Sequence, residues 1–158
     1  MNFECYGPFA LDWYSDVKQW KSEFWKSIES NQELEGLKNA IGCYVFCMKH
    51  GDTYTPWYVG KTENKIGFEG EVFTDHKYYI YQKLIEKDKT RHQPCFMFFP
   101  LMTYEHWNFS KNRSEGSKHI DWLETTLISM AYSVNRKLKN DKKTSLSLIH
   151  ISEPTRPY

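Results

Sequence analysis

Between Ile41 and Thr62, two short apolar segments, residues 42–48 and 55–59, flank His50, Gly51 and Asp52. The segments are rich in β-branched and aromatic residues, and the triplet between them has the composition of a turn. A β-hairpin is therefore predicted. Strand alternation places Cys43, Val45 and Cys47 on one face and Tyr44, Phe46 and Met48 on the other. A turn centred near Gly51 sets Tyr44 opposite Tyr58, and residues directly opposite in an antiparallel pair point the same way. Two phenols then stand side by side, with Gly60 and Lys61 just beyond. Pro56 lacks an N–H and belongs on an edge or at a bulge.

The hairpin needs a core to sit in. A chain of 158 residues is one domain by length. Six Trp and eleven Tyr supply bulk for its interior and leave some rings for a surface. No apolar run reaches membrane-spanning length, and the start of the chain lacks a basic region followed by an apolar stretch, so a cytoplasmic protein with no membrane partner is expected. The four Cys agree, because none forms a C-x-x-C pair, and Cys43 and Cys47 on one strand are too far apart to bridge. Net charge is +1, which excludes an overall polycation. Residues 1–60 hold five Lys/Arg against eight Asp/Glu, net −3, and residues 61–158 hold sixteen against twelve, net +4. A difference of that size is equally the mark of a solvated mixed surface.

Around the hairpin the periodicity is mostly helical. Trp13, Val17, Trp20, Phe24 and Ile28 recur at spacings of three and four, predicting an amphipathic helix from Asp12 to about Ser30 that follows an extended lead-in. With a polar linker after it, this makes residues 1–40 an N-terminal helical extension. Gly67 and Gly70 mark a loop after the hairpin. A second helix, from about Thr74 to Lys87, carries Ile80 and Leu84, and Tyr81 and Ile85, at i and i+4. Its outward positions bring Lys77, Lys83 and Lys87 among Tyr78 and Tyr79. Such interleaving suits phosphate contact and base stacking, and a solvated helix face explains the same residues equally well. Residues 94–102, PCFMFFPLM, read as a strand buried on both faces. A last helix, over residues 118–135, has a stripe of Ile120, Leu123, Leu127, Met130 and Ala131, with Glu124 inside it. A buried carboxylate there needs a counter-charge or a metal, whereas at the helix edge it reaches water.

Gly42-Cys43-Tyr44, followed after the turn by Tyr58-Val59-Gly60-Lys61-Thr62, resembles the two signature strands of the GIY-YIG endonuclease superfamily, whose members cut nucleic acids with a divalent metal. The resemblance spans roughly residues 41–139, with Cys43 in place of isoleucine. It implies an α+β fold, a small antiparallel three-stranded sheet flanked by helices, occupying residues 41–143. It also implies one Mg²⁺ or Mn²⁺ held by Glu124, Asn135 as the family's C-terminal Asn, and Gly42 and Gly60 as structural residues near the site. DNA is the implied partner. Residues 144–158, ending SLSLIHISEPTRPY, resemble translated primer or adapter sequence and are set outside the fold.

In such a nuclease Tyr44 is the general base and Tyr58 orients the water or phosphate. A phenol with pKa of about 10 needs help at neutral pH, and Lys61 is the candidate cation. The family's phosphate-clamping Arg is replaced by Phe68, Glu69 and Gly70, leaving Lys65 and His76 to supply charge. The expected function is metal-dependent hydrolysis of DNA. The alternative is a catalytically inactive module of the same type that binds nucleic acid or a protein partner.

Overall fold

The computed structural model describes residues 2–12, 17–62, 66–88, 92–103, 108–110 and 113–140. Trp13, Lys65 and the segment after Asn140 lie outside that range. The elements, in chain order, are β1 (Asn2–Phe3), β2 (Tyr6–Ala10), α1 (Val17–Glu29), two single 3₁₀ turns, β3 (Gly42–His50), β4 (Thr53–Thr62), α2 (Gly67–Glu71), α3 (Asp75–Lys87), β5 (Gln93–Met102) and α4 (Arg113–Val134). None of the described helices is long and apolar enough to cross a membrane.

The fold is α+β with one antiparallel sheet. Its hairpin, β3 and β4, and its apolar strand, β5, match the sequence reading, and β3 lies in the centre between β4 and β5. The sheet has five strands where three were expected, and the N-terminal extension, read as helical after an extended lead-in, opens with two of them. The reason lies in β5. Its run from Gln93 to Met102 has two hydrogen-bonding edges, and β3 satisfies only one. On the other edge, Asn2 and Phe3 of β1 pair with Met102 and Leu101, and Tyr6, Phe9 and Ala10 of β2 pair with Phe98, Phe96 and Cys95. Gly7 and Pro8 concealed this strand in the sequence: they fall where the β2 register shifts.

Each face of the sheet is covered by helices. The face carrying Tyr44, Phe46, Met48, Phe96 and Phe98 packs under α1, α2 and α3, through Trp20, Phe24, Trp25, Phe68, Val72, Tyr81 and Leu84. The opposite face, with Cys43, Val45, Cys47, Val59 and Cys95, packs under α4 through Ile120, Ile128 and Ala131. α4 approaches closely, because a Cβ on Gly116 would lie 2.5 Å from Leu101 Cδ2. The short helix α2 occupies what the glycines marked as a loop. Gly67 takes a positive φ of 67°, and the Phe68 N–H bonds to the Ala40 carbonyl at 3.1 Å. Phe68 and Val72, at i and i+4, then both enter the core.

The chain after α4 closes the free edge of β4. Asn140 bonds both backbone groups of Val59, accepting from the N–H at 2.9 Å and donating to the carbonyl at 2.7 Å. Asn135 donates from Nδ2 to the Pro56 carbonyl at 2.8 Å, and the Lys139 N–H reaches the Trp57 carbonyl at 2.8 Å. An otherwise open strand edge is thus capped by the protein's own backbone and amides.

Candidate nucleic-acid interface

A bulge decides which side chains of the hairpin meet. From His50 opposite Thr53 to Cys47 opposite Pro56 the register follows a two-residue turn, and it then shifts so that Phe46 faces Tyr58 and Tyr44 faces Gly60. Trp57 is the extra residue. Had the first register continued unbroken, Tyr58 would stand opposite Val45 and point to the α4 face, since a slip of one reverses every side chain. With it Tyr44 and Tyr58 share a face as diagonal neighbours, ring centroids 6.3 Å apart, rather than as the directly opposed pair expected. Pro56, which has no N–H to give, sits at the edge of this bulge.

The shared face is an interior. Tyr44 is fully buried, and its ring lies over Gly60, where a Cβ would fall 2.2 Å from the ring carbon that bears the hydroxyl. Phe68 stands 6.3 Å from the Tyr44 ring, so this residue, one of the three expected in place of a GIY-YIG Arg, is a core side chain. Tyr81, also buried, donates to the Val72 carbonyl at 2.8 Å, and the Tyr44 hydroxyl lies against the Tyr81 phenol. Burial first, then the neighbouring Tyr81 and Tyr58 phenols and Glu71, hold the Tyr44 phenol well above its ordinary value of 10.0. This reverses the downward shift a general base requires.

The expected helper residues lie elsewhere. Lys61 is opposite Cys43, hence on the α4 side, and its Nζ is 3.1 Å from Asp121 Oδ1. Glu124 belongs to α4, which covers the face opposite to Tyr44, and is half-buried there. His76 is exposed on the first turn of α3. Lys77 turns inward instead of joining an outward strip: its Nζ is 5.4 Å from the Tyr44 ring centroid and 3.1 Å from Glu71 Oε2. A magnesium or manganese ion of the family type would need Glu124 beside the phenols, and the sheet stands between them. Nor do the described residues assemble any group of three His, Cys, Asp or Glu side chains around one point. The donor set does not fit the metal, and no step is routed through it.

What the bulge does contribute is the floor of a groove. Trp57 and Tyr58 both pack on the α3 side of the sheet. A cavity of about 390 Å³ opens there, floored by Met48, Trp57 and Leu84 and rimmed by Lys87, Asp88, His92, Lys137 and Lys139. Lys87, Lys137 and Lys139 are exposed. His92 is fixed by an edge-to-face contact with His50, centroids 4.5 Å apart, and by its backbone N–H, which donates to Asp88 Oδ2 at 2.7 Å. Three ammonium groups thus face one carboxylate across an apolar floor that includes an indole. Along α3 the basic rim continues to Lys83, whose Nζ sits 5.3 Å from the centroid of the exposed Tyr79 ring.

Of the sequence candidates, Lys83 and Lys87 stand on this surface, and Asn135 positions one wall of it through Pro56. Trp57, His92, Lys137 and Lys139 were missed. The basic run after α4 was visible, but only its return along the β4 edge brings it to Trp57.

The buried phenols make a pH prediction. Tyr44 and Tyr81 are both held above the ordinary phenol value by burial, so the folded chain keeps them neutral while the unfolded chain ionises near 10.0. Their contribution to stability is full below that pH and is lost as pH rises through the folded values. Urea midpoints should therefore fall steadily above pH of about 10, and less so in Tyr44→Phe. At neutral pH Tyr44→Phe deletes a buried hydroxyl that lies against the Tyr81 phenol and should stay within about 1 kcal/mol of wild type. A folded wild type that shows one tyrosinate more than folded Tyr44→Phe by absorbance would contradict this burial.

No protein-family model, curated protein or solved structure matches the chain.

Proposed function

We propose that this chain is a GIY-YIG-like module without phosphodiester chemistry, and that it binds nucleic acid through the groove beside Trp57. The groove's composition carries the reading: Lys87, Lys137 and Lys139 rim an apolar floor containing an indole. Ammonium groups neutralise phosphates without reading sequence, and an aromatic floor receives a base face of any identity. The order β3, β4, α2, α3, β5, α4, with β3 central, supports kinship with the module. The burial of Tyr44 and the placement of Glu124 on the other side of the sheet support the non-catalytic form.

Fluorescence anisotropy with single-stranded and duplex DNA oligonucleotides tests it. Affinity should fall steeply with salt, with a log–log slope of about −2 to −3 for three lysine contacts. It should vary little with sequence. Binding that ignores salt, or none at all, would move the assignment to a protein partner. Mg²⁺-dependent cleavage that disappears in Tyr44→Phe and Glu124→Ala would restore the nuclease.

A further inference from the structure

A second basic cavity, of about 520 Å³, lies between α1, the 3₁₀ turn at Leu37–Asn39 and α2. Lys18, Lys21, Lys26 and Lys38 converge on it against Glu29 and Glu69, with Ser22 and Trp25 completing the wall. The ion pair that crosses it, Lys38 Nζ to Glu69 Oε2, is long at 3.9 Å. Four ammonium groups around one concavity repel one another, and two carboxylates leave an excess of two positive charges.

Two groups in the same wall lack hydrogen-bond partners among the described residues. Trp25 is 3% exposed, and its indole N–H has no acceptor. Oε1 of Glu29, one helical turn on, is enclosed and has no donor. Enclosed polar groups are ordinarily paired, so a donor and an acceptor left without partners one helical turn apart ask for a complementary occupant. That occupant must offer an acceptor to the indole, a donor to the carboxylate and about two negative charges to the lysines. A phosphate monoester carries a charge of about −1.5 to −2 at neutral pH and three acceptor oxygens. A hydroxyl on its organic part supplies the donor.

We infer that this cavity binds a small phosphorylated polyol, with the phosphate among Lys21, Lys26, Lys38 and the Trp25 N–H, and a hydroxyl donating to Glu29. A small outward swing of the lysine arms admits it. The inference is independent of the groove at Trp57, which lies among different residues.

Glycerol 3-phosphate, inorganic phosphate and glycerol, titrated separately into the full chain, test this by calorimetry and by the tryptophan indole N–H resonances. Glycerol 3-phosphate should saturate a single site and move one indole resonance, the one absent from Trp25→Phe. Lys21→Gln combined with Lys38→Gln should weaken it by about tenfold or more. Glu29→Ala should narrow the preference for glycerol 3-phosphate over inorganic phosphate. Failure of either phosphate to saturate, or unchanged affinity in the double lysine variant, would overturn the site. Displacement of glycerol 3-phosphate by an oligo-dT strand would assign the cavity to backbone phosphate and overturn the small-ligand reading. If Trp25→Phe does not fold, the lysine variants, at positions outside the core, decide between these outcomes.

Discussion

Gly60→Ala should cost the protein about 3 kcal/mol, the upper end of what overpacking a core usually does. A Cβ at this position would lie 2.2 Å from one Tyr44 ring carbon and 2.3 Å from its hydroxyl oxygen, far inside contact distance. The ring has nowhere to retreat. Phe68, Phe96, Phe98 and Tyr58 surround it with centroids at 6.3 to 6.5 Å. Gly60 is thus required by packing, since it lets a tyrosine from the neighbouring strand lie across β4. For a chain of this length the loss corresponds to a fall of roughly 10 °C in Tm. Tyr44→Ala empties the same space, so adding Gly60→Ala to it should cost almost nothing further, a coupling of the kind that contacting residues show. Urea melts of the four proteins measure this. A Gly60→Ala protein within about 0.5 kcal/mol of wild type would mean that the Tyr44 ring does not lie across Gly60.

Reversing Lys87, Lys137 and Lys139 together to Glu should reduce DNA affinity about 100-fold or more at low salt and flatten the salt dependence by two or more contacts. The three lysines come from different parts of the chain, the end of α3 and the segment after α4, and meet only around the cavity floored by Trp57. All three side chains are exposed, so the fold should tolerate the change. Lys49 and Lys118 provide the control: Lys49 contacts Tyr54 on the α4 side of the sheet and Lys118 is exposed on α4 itself. Reversing that pair lowers overall charge without touching the groove and should weaken binding only slightly. Equal losses in the two variants would show that binding follows net charge rather than this surface. Trp57→Ala separates stacking from charge, because it should weaken single-stranded binding by about tenfold while leaving the salt slope alone.

Local pattern alone determined much of the chain. The β3–β4 hairpin, the buried strand β5, and helices α1, α3 and α4 all follow from periodicity and turn composition, because each buries one face or stripe that its own spacing displays. The burial of Trp20 and Phe24 was readable in the same way. The pairing of Tyr44 with Tyr58 on one face was readable in kind, but the bulge at Trp57 set the actual register. A bulge is one residue of extra backbone, and Pro56 signalled it without fixing its position.

Three matters were decided only by tertiary structure. Strands β1 and β2 exist because β5 has a second edge to satisfy, a demand that arises some ninety residues away from the segment that meets it. Lys61 and Glu124 fall on the far face from the phenols because alternation along β4 and the packing of α4 are properties of the assembled sheet, whereas a motif read in one dimension groups its residues by their order along the chain. The groove owes its existence to Asn135, Lys139 and Asn140, which fold the chain after α4 back along the open edge of β4 and carry two lysines to Trp57. Hydrogen bonds to a strand edge leave no periodic trace in the residues that make them, so no window of the sequence displays that surface.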